Sequence, residues 1–195
     1  MSKIKIIALF GKAGSGKDAL LHAIMNRNIP TLHEIISCTT RPPREGEQHG
    51  VNYYFLSVEE FTHKVLNGDM LEATEFRDWF YGTALDALNP NAINIGVFNP
   101  AGLKALIEDT RLEVLCVGMR ASDKTRLLRQ LGRESNPDVS EICRRYFADE
   151  QDFGCWELDS EEYEQICYLD NENRDIEDTA SSLEQIISLF SAGEL

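Results

Sequence analysis

The run Ile6-Ile7-Ala8-Leu9-Phe10 passes directly into Gly11-Lys12-Ala13-Gly14-Ser15-Gly16-Lys17-Asp18. An almost continuous apolar stretch of this length suits a strand buried on both faces, the setting of a parallel sheet. The glycines that follow allow backbone N–H groups to turn inward around an anion, and the spacing G-x-x-x-x-G-K adds a lysine where a helix begins. A strand, this loop and a helix in that order predict a phosphate-binding turn built from Gly11, Lys12, Ala13, Gly14, Ser15, Gly16 and Lys17. Asp18 stands where Ser or Thr normally meets Mg²⁺. It reads as a carboxylate on the magnesium side, direct or through water, or as a helix N-terminal charge favoured by the dipole.

The rest of the chain repeats the alternation. Strand candidates are His33 to Ser37, Ala92 to Phe98, Leu112 to Gly118 and Gln165 to Asp170. Helical stripes fall at Leu20, Leu21, Ile24 and Met25, at Leu103, Leu106 and Ile107, and at Ile176, Ala180, Leu183, Ile187 and Phe190. Strands alternating with helices predict an α/β fold with an open parallel β-sheet core flanked by helices. Two stretches interrupt the rhythm. Residues 38–88 are rich in Arg, Pro, Gly and aromatics, with a strand-like piece at Val51 to Leu56 and a helix start at Ser57, whose partner three residues on is Glu60. Residues 132–150 open on a polar loop around Asn136-Pro137 and carry Arg133, Arg144 and Arg145. The expected plan is one domain over 1–195, with a core of 1–37, 89–131 and 151–195, a small lobe at 38–88 and a lid at 132–150.

Charge narrows the partners. The net charge of −14 is not spread evenly: residues 1–148 are balanced, whereas 149–195 hold fifteen acidic side chains and Arg174 alone. A balanced body can concentrate arginines on a small phosphorylated ligand, while the overall sign disfavours nucleic acid. No apolar run reaches the roughly 20 residues a membrane span needs. The five cysteines contain no C-x-x-C, and the histidines are scattered, so neither a zinc site nor a disulfide framework is expected. These features predict a soluble, cytoplasmic protein with reduced thiols.

A second cluster is Ser37-Cys38-Thr39-Thr40-Arg41-Pro42-Pro43-Arg44-Glu45-Gly46-Glu47, followed by His49-Gly50-Val51-Asn52-Tyr53-Tyr54-Phe55. Two arginines three apart, stiffened by prolines, offer forked donors to a dianionic phosphate, and tyrosine hydroxyls can complete the ring. With Gly68-Asp69-Met70-Leu71-Glu72, Tyr81-Gly82-Thr83, Leu131-Gly132-Arg133 and the strand before Asn171, this cluster resembles the guanylate kinases over most of the chain. The resemblance implies a P-loop NMP-kinase fold and ATP-dependent phosphorylation of GMP or dGMP, with Mg²⁺ accompanying ATP. It implies that Arg41, Arg44, Tyr53 and Tyr81 hold the acceptor phosphate and that Ser37, Glu72 and Thr83 read the base. Guanine presents N1–H and N2–H donors beside an O6 acceptor, so Glu and Ser are fitting types. By the same resemblance Lys17, Arg41, Arg133 and Arg145 act on the transferring group, with Arg129 a further candidate, and Asn171 lies on the adenine side.

The chain departs from that pattern at Gly96-Val97-Phe98-Asn99-Pro100-Ala101-Gly102, where the family carries an Asp-Ile-Asp-type strand end. Asn99 can still accept a hydrogen bond toward the base but carries no charge. Asn99 together with Asp18 resembles the ribose 1,5-bisphosphate phosphokinases, which share the fold. That activity, a broader deoxynucleoside monophosphate kinase, and a non-catalytic binding module therefore remain alternatives.

Overall fold

A computed structural model describes residues 3–43, 46–76, 79–133, 135–159 and 166–195. Two sheets organise them. The first has the strand order β2-β7-β1-β8-β9, from β1 (Ile4–Phe10), β2 (Leu32–Glu34), β7 (Ile93–Val97), β8 (Leu112–Arg120) and β9 (Ile166–Asp170). The β2–β7 and β8–β9 pairs are parallel. The order turns back on itself at β1, and the crevice beyond the carboxyl end of such a strand is where open α/β sheets bind ligands. The glycine loop occupies that position. The second sheet, of order β4-β3-β6-β5, consists of β3 (Cys38–Thr39), β4 (Tyr54–Phe55), β5 (Met70–Phe76) and β6 (Trp79–Ala84).

The chain divides into two compact units. The first comprises Met1–Ile6, Thr31–Gly96 and Ala101–Val114. It contains the second sheet, α2 (Val58–Leu66) and most of α3 (Pro100–Glu108). The predicted helix start at Ser57 is a full capping box: Ser57 Oγ accepts from Glu60 N–H at 3.1 Å, and Glu60 Oε2 accepts from Ser57 N–H at 2.7 Å. The helix packs Phe61 against Cys38 and Ala84, with Leu56, Met70 and Phe80 around them, and the Phe61 and Phe80 rings stack at 5.6 Å.

The second unit comprises Ile7–Pro30, Val97–Pro100 and Leu115–Leu195. Here α1 (Lys17–Met25) packs against α6 (Ile176–Ala192), and α4 (Asp123–Leu131) packs against α5 (Val139–Asp159). The stripe predicted for α6 is the buried one, with Ala180, Leu183, Ile187 and Phe190 inside. Arg27 at the end of α1 ties the pair together, reaching Glu184 at 2.5 Å and Glu177 at 3.1 Å. Gly118 lies where a Cβ would stand only 2.6 Å from the Tyr168 ring and 2.7 Å from Phe10, so β8 needs a bare backbone there.

Several expected elements differ in extent. The strand expected at His33 to Ser37 is Leu32–Glu34, and the chain then crosses to the second sheet at Cys38. Val51 to Leu56 contributes only Tyr54 and Phe55 as strand. The β5–β6 hairpin, α4 and the continuous 21-residue α5, which runs past residue 150, are not among the expected elements. Cys38, Cys116, Cys143 and Cys167 are free thiols. Burial pushes Cys116 up to about 12, leaving it inert at neutral pH. Among the described residues no helix is long and apolar enough to cross a membrane.

Replacing Phe61 by Ala removes the side chain on which the small sheet and α2 close. The expected loss is about 3–5 kcal/mol in urea unfolding, while far-UV helicity of the remaining protein is kept.

Candidate functional site

The glycine loop begins at the end of β1 and closes at Gly16, the N-cap of α1, whose φ of 101° lies in the left-handed region. Gly14, at φ +81°, lies against α4: a Cβ there would stand 2.5 Å from the carbonyl oxygen of Arg126. Only glycine satisfies both demands. Inside the loop Ser15 is fully buried and its Oγ has no hydrogen-bonding partner among the described residues, a polar atom left for something that enters. Lys17 is mostly covered, and its Nζ lies 3.7 Å from the exposed Asp18 carboxylate in the first turn of α1.

The loop's carbonyls are held from α4 and from the turn after β9. Arg129 donates to Gly14 O and Ser15 O, both at 3.3 Å, and to Asn171 O at 2.7 Å. Asn171, buried, gives its side-chain amide to Ser15 O at 2.9 Å. The predicted adenine-side residue is thus a brace of the phosphate loop. Glu172 caps α4, accepting from Ser122 N–H at 2.5 Å, Ser122 Oγ at 2.7 Å and Thr125 Oγ1 at 2.6 Å. These donors, Thr125 foremost, lower the Glu172 carboxyl to about 2.

An ionic group centred on the buried Arg126 adjoins the loop. Arg126, 2% exposed, donates to Asp123 at 2.7 Å and to Glu150 at 2.9 Å, and reaches Ala13 O at 3.4 Å. Lys12 pairs with Glu150 at 2.8 Å, and Ala13 N–H donates to Asp149 at 2.5 Å. Beside this group lies a cavity of about 720 Å³ lined by Phe10, Lys12, Phe153 and Tyr168 among others. Arg120 stacks on the Tyr168 ring at 3.4 Å.

The candidate acceptor residues gather in the first unit. Arg41 is buried, and its guanidinium makes two hydrogen bonds of 2.9 Å to the Glu47 carboxylate and one of 2.8 Å to Pro42 O. The Glu47 bonds hold Arg41 above its already high ordinary pKa. Arg41 lies 5.6 Å from the Tyr53 ring, and Tyr53 meets Tyr81 edge-on at 6.2 Å. Across the hairpin Glu72 pairs with Thr83. Burial pushes the Glu72 carboxyl up, opposed by hydrogen bonding from Thr83. Thr83 itself is fully buried, and its Oγ1 makes no well-formed hydrogen bond among the described residues. Ser37 is half-buried, and its carbonyl accepts from Tyr54 N–H at 2.9 Å. Arg44 lies outside the described residues.

Three more predicted residues, Asn99, Arg133 and Arg145, belong to the second unit. Asn99 is an exposed residue at the start of α3. Arg133 is exposed just beyond α4, and Arg145 donates to Glu141 at 2.8 Å, sharing that carboxylate with Arg144. Arg126, Asp149, Glu150 and Glu172 went unread in the sequence, since only the fold brings their charges to the loop, while Glu47 stood within the arginine cluster without an assigned role. Among the described residues no three His, Cys, Asp or Glu side chains are grouped to hold a metal. One exposed carboxylate beside a phosphate loop does fit a hard cation that takes most of its ligands from phosphate oxygens and water.

The fold and the loop define an α/β protein of the P-loop nucleoside monophosphate kinase class. The guanylate kinase family profile matches residues 3–189. A guanylate kinase from Latilactobacillus sakei is 42% identical over 84 residues, 43% of this chain and 41% of that protein. A guanylate kinase from Campylobacter jejuni is 28% identical over 144 residues, 72% of this chain and 70% of that protein. The crystal structure of guanylate kinase from Anaplasma phagocytophilum matches with a TM-score of 0.62 at 25% identity, covering 96% of this chain and 86% of that one. The chain belongs to the guanylate kinase family. Its match spans about two fifths of the length of the first curated relatives.

Glu172 gives a pH test of the loop's scaffold. A carboxyl lowered to about 2 contributes stability that is present above the unfolded value of about 4.3 and lost as pH falls toward 2. Glu172→Gln should melt below the wild type at pH 7, and thermal scans should show the two curves converging between about pH 4 and 2.

Proposed function

We propose that the chain transfers the γ-phosphoryl group of ATP to GMP or dGMP, giving ADP and the nucleoside diphosphate. The observation that carries this reading is the presence in the first unit of two recognition chemistries. Arg41 with Tyr53 and Tyr81 suits a monophosphate, and the largely buried Glu72 with Thr83 suits the paired N–H donors of guanine. A buried carboxylate that meets such donors rejects bases lacking them, because it is then left unpaired. Ser37 supplies the hydroxyl type suited to O6. Asn99 replaces a family carboxylate by an amide, which leaves the burden of base selection on Glu72.

On the donor side, the backbone N–H groups of residues 11–17 and the Ser15 hydroxyl receive phosphate oxygens, and Lys17 neutralises the outer phosphates. Asp18 is the residue that would hold Mg²⁺, which would supply charge neutralisation to the phosphates of ATP. Phosphoryl transfer asks for positioning and electrostatic stabilisation more than covalent help. Arg41 and Arg44 hold the acceptor in line. Arg133 and Arg145, in the proposed lid of residues 132–150, add positive charge to the transferring group and help exclude water, and Arg145 exchanges Glu141 for phosphate as it does so. The proposed lobe boundaries are those of the sequence reading, and the proposed setting is the cytoplasm.

The test is ADP formation from ATP and Mg²⁺ with GMP, dGMP, AMP, dTMP, UMP and ribose 1,5-bisphosphate, and Lys17→Ala as blank. Guanine nucleotides should turn over alone, and Lys17→Ala should lose at least about a hundredfold in kcat. Turnover of ribose 1,5-bisphosphate in their place would overturn the assignment. Glu72→Gln should lower kcat/KM for GMP by about a hundredfold without lowering that for AMP, the signature of a lost base contact. Asp18→Ala should raise the Mg²⁺ concentration needed for half-maximal rate, and an unchanged requirement would remove Asp18 from the metal.

A further inference from the structure

The phosphate loop already holds an anion of the chain's own making. Ala13, the third residue of the loop, donates its N–H to Asp149 Oδ2 at 2.5 Å, across 136 residues of sequence. Inward N–H groups of this kind are what a phosphate loop offers to phosphate oxygens, and a carboxylate oxygen accepts from them in the same charge-assisted way. The neighbouring carboxylate, Glu150, takes Lys12 at 2.8 Å. Both acids are set by Arg126, which lies 2.9 Å from Glu150 and 3.8 Å from Asp149 and is itself 2% exposed.

We propose that Asp149 is a built-in occupant of the phosphate loop, which the outer phosphates of a nucleotide must displace before they can bind. The proposal rests on the reading of residues 11–18 as a nucleotide phosphate site and adds a regulatory contact to it. A phosphate dianion and a carboxylate cannot share one N–H, and two like charges at hydrogen-bonding separation disfavour each other. Asp149 therefore opposes nucleotide entry while keeping the ligand-free loop folded. Burial pushes the Asp149 carboxyl above its ordinary value with help from Asp152, while the Ala13 N–H and the charges of Lys17 and Arg126 favour the anion. Arg144, on the same helix, also lies within its field. Because Asp149 and Arg145 both ride on α5, withdrawal of the carboxylate and movement of the lid arginine are steps of one helix.

The two roles open to Asp149 predict opposite signs. A residue that merely supports the loop weakens ligand binding when it is removed, whereas an occupant strengthens it. The experiment is calorimetric titration of inorganic tripolyphosphate and of ATP, both in EDTA, into wild type, Asp149→Asn, Asp149→Ala and Lys17→Ala, with a thermal melt of each. Asp149→Asn should bind tripolyphosphate about tenfold more tightly than wild type, and Asp149→Ala at least as tightly. Asp149→Asn keeps an oxygen for Ala13 N–H, so it decides the matter where Asp149→Ala melts early. Equal or weaker binding by Asp149→Asn, with binding by wild type and loss in Lys17→Ala, overturns the proposal and leaves the nucleotide site standing. Absence of binding by every chain overturns both.

Discussion

The turn from β1 into α1 exposes a ring of backbone N–H and carbonyl groups that neither sheet nor helix can pair, and the surrounding unit is arranged to answer them. Carbonyls of Gly14 and Ser15 are taken by Arg129 and Asn171, and that of Ala13 by Arg126. The N–H of Ala13 is met by Asp149. A buried polar group without a partner costs on the order of 1–3 kcal/mol, so a loop of this shape is stable only inside such a frame. The glycines make the shape accessible, and the frame makes it persist.

Electrostatics follow from the same demand. Arg126 is the largest of the fully buried side chains among the described residues, and it is tolerable there because Asp123 and Glu150 compensate its charge and Tyr146 lies 5.3 Å away. A buried cation stripped of one partner is strongly destabilising, while an intact group contributes little net stability. Its value is in fixing where α4 and α5 stand against the loop. Arg41 repeats the arrangement in the first unit, its fork matched by Glu47. In both units a group that the proposed function turns toward phosphate is paired with a carboxylate of the chain.

Much of the fold was legible because burial leaves periodic marks. The continuous apolar run of β1, the stripe of α6 and the capping box at Ser57 each state an element and its inward face. Helix α4 was not legible for an equally physical reason. Its leucines Leu128 and Leu131 are 57% and 38% exposed, while Arg126 is inside, so the apolar pattern points away from the face that packs. The β5–β6 hairpin was hidden by its half-buried strands, in which Glu72 and Thr83 occupy interior positions that apolar residues would mark elsewhere.

The candidate site divides along the same line. Sequence alone determined the glycine turn between β1 and α1 and the family, and pointed to the Arg41 clamp proposed above, because glycines, prolines and arginines at short fixed spacing act through local backbone geometry that needs no distant partner. Tertiary structure alone decided what faces those groups. Asp149 lies 136 residues from Ala13, Asn171 lies 156 from Ser15, and Arg126 meets the loop from another helix. A charge far away in sequence carries no trace of its partner until packing excludes water and leaves each buried group one counterpart.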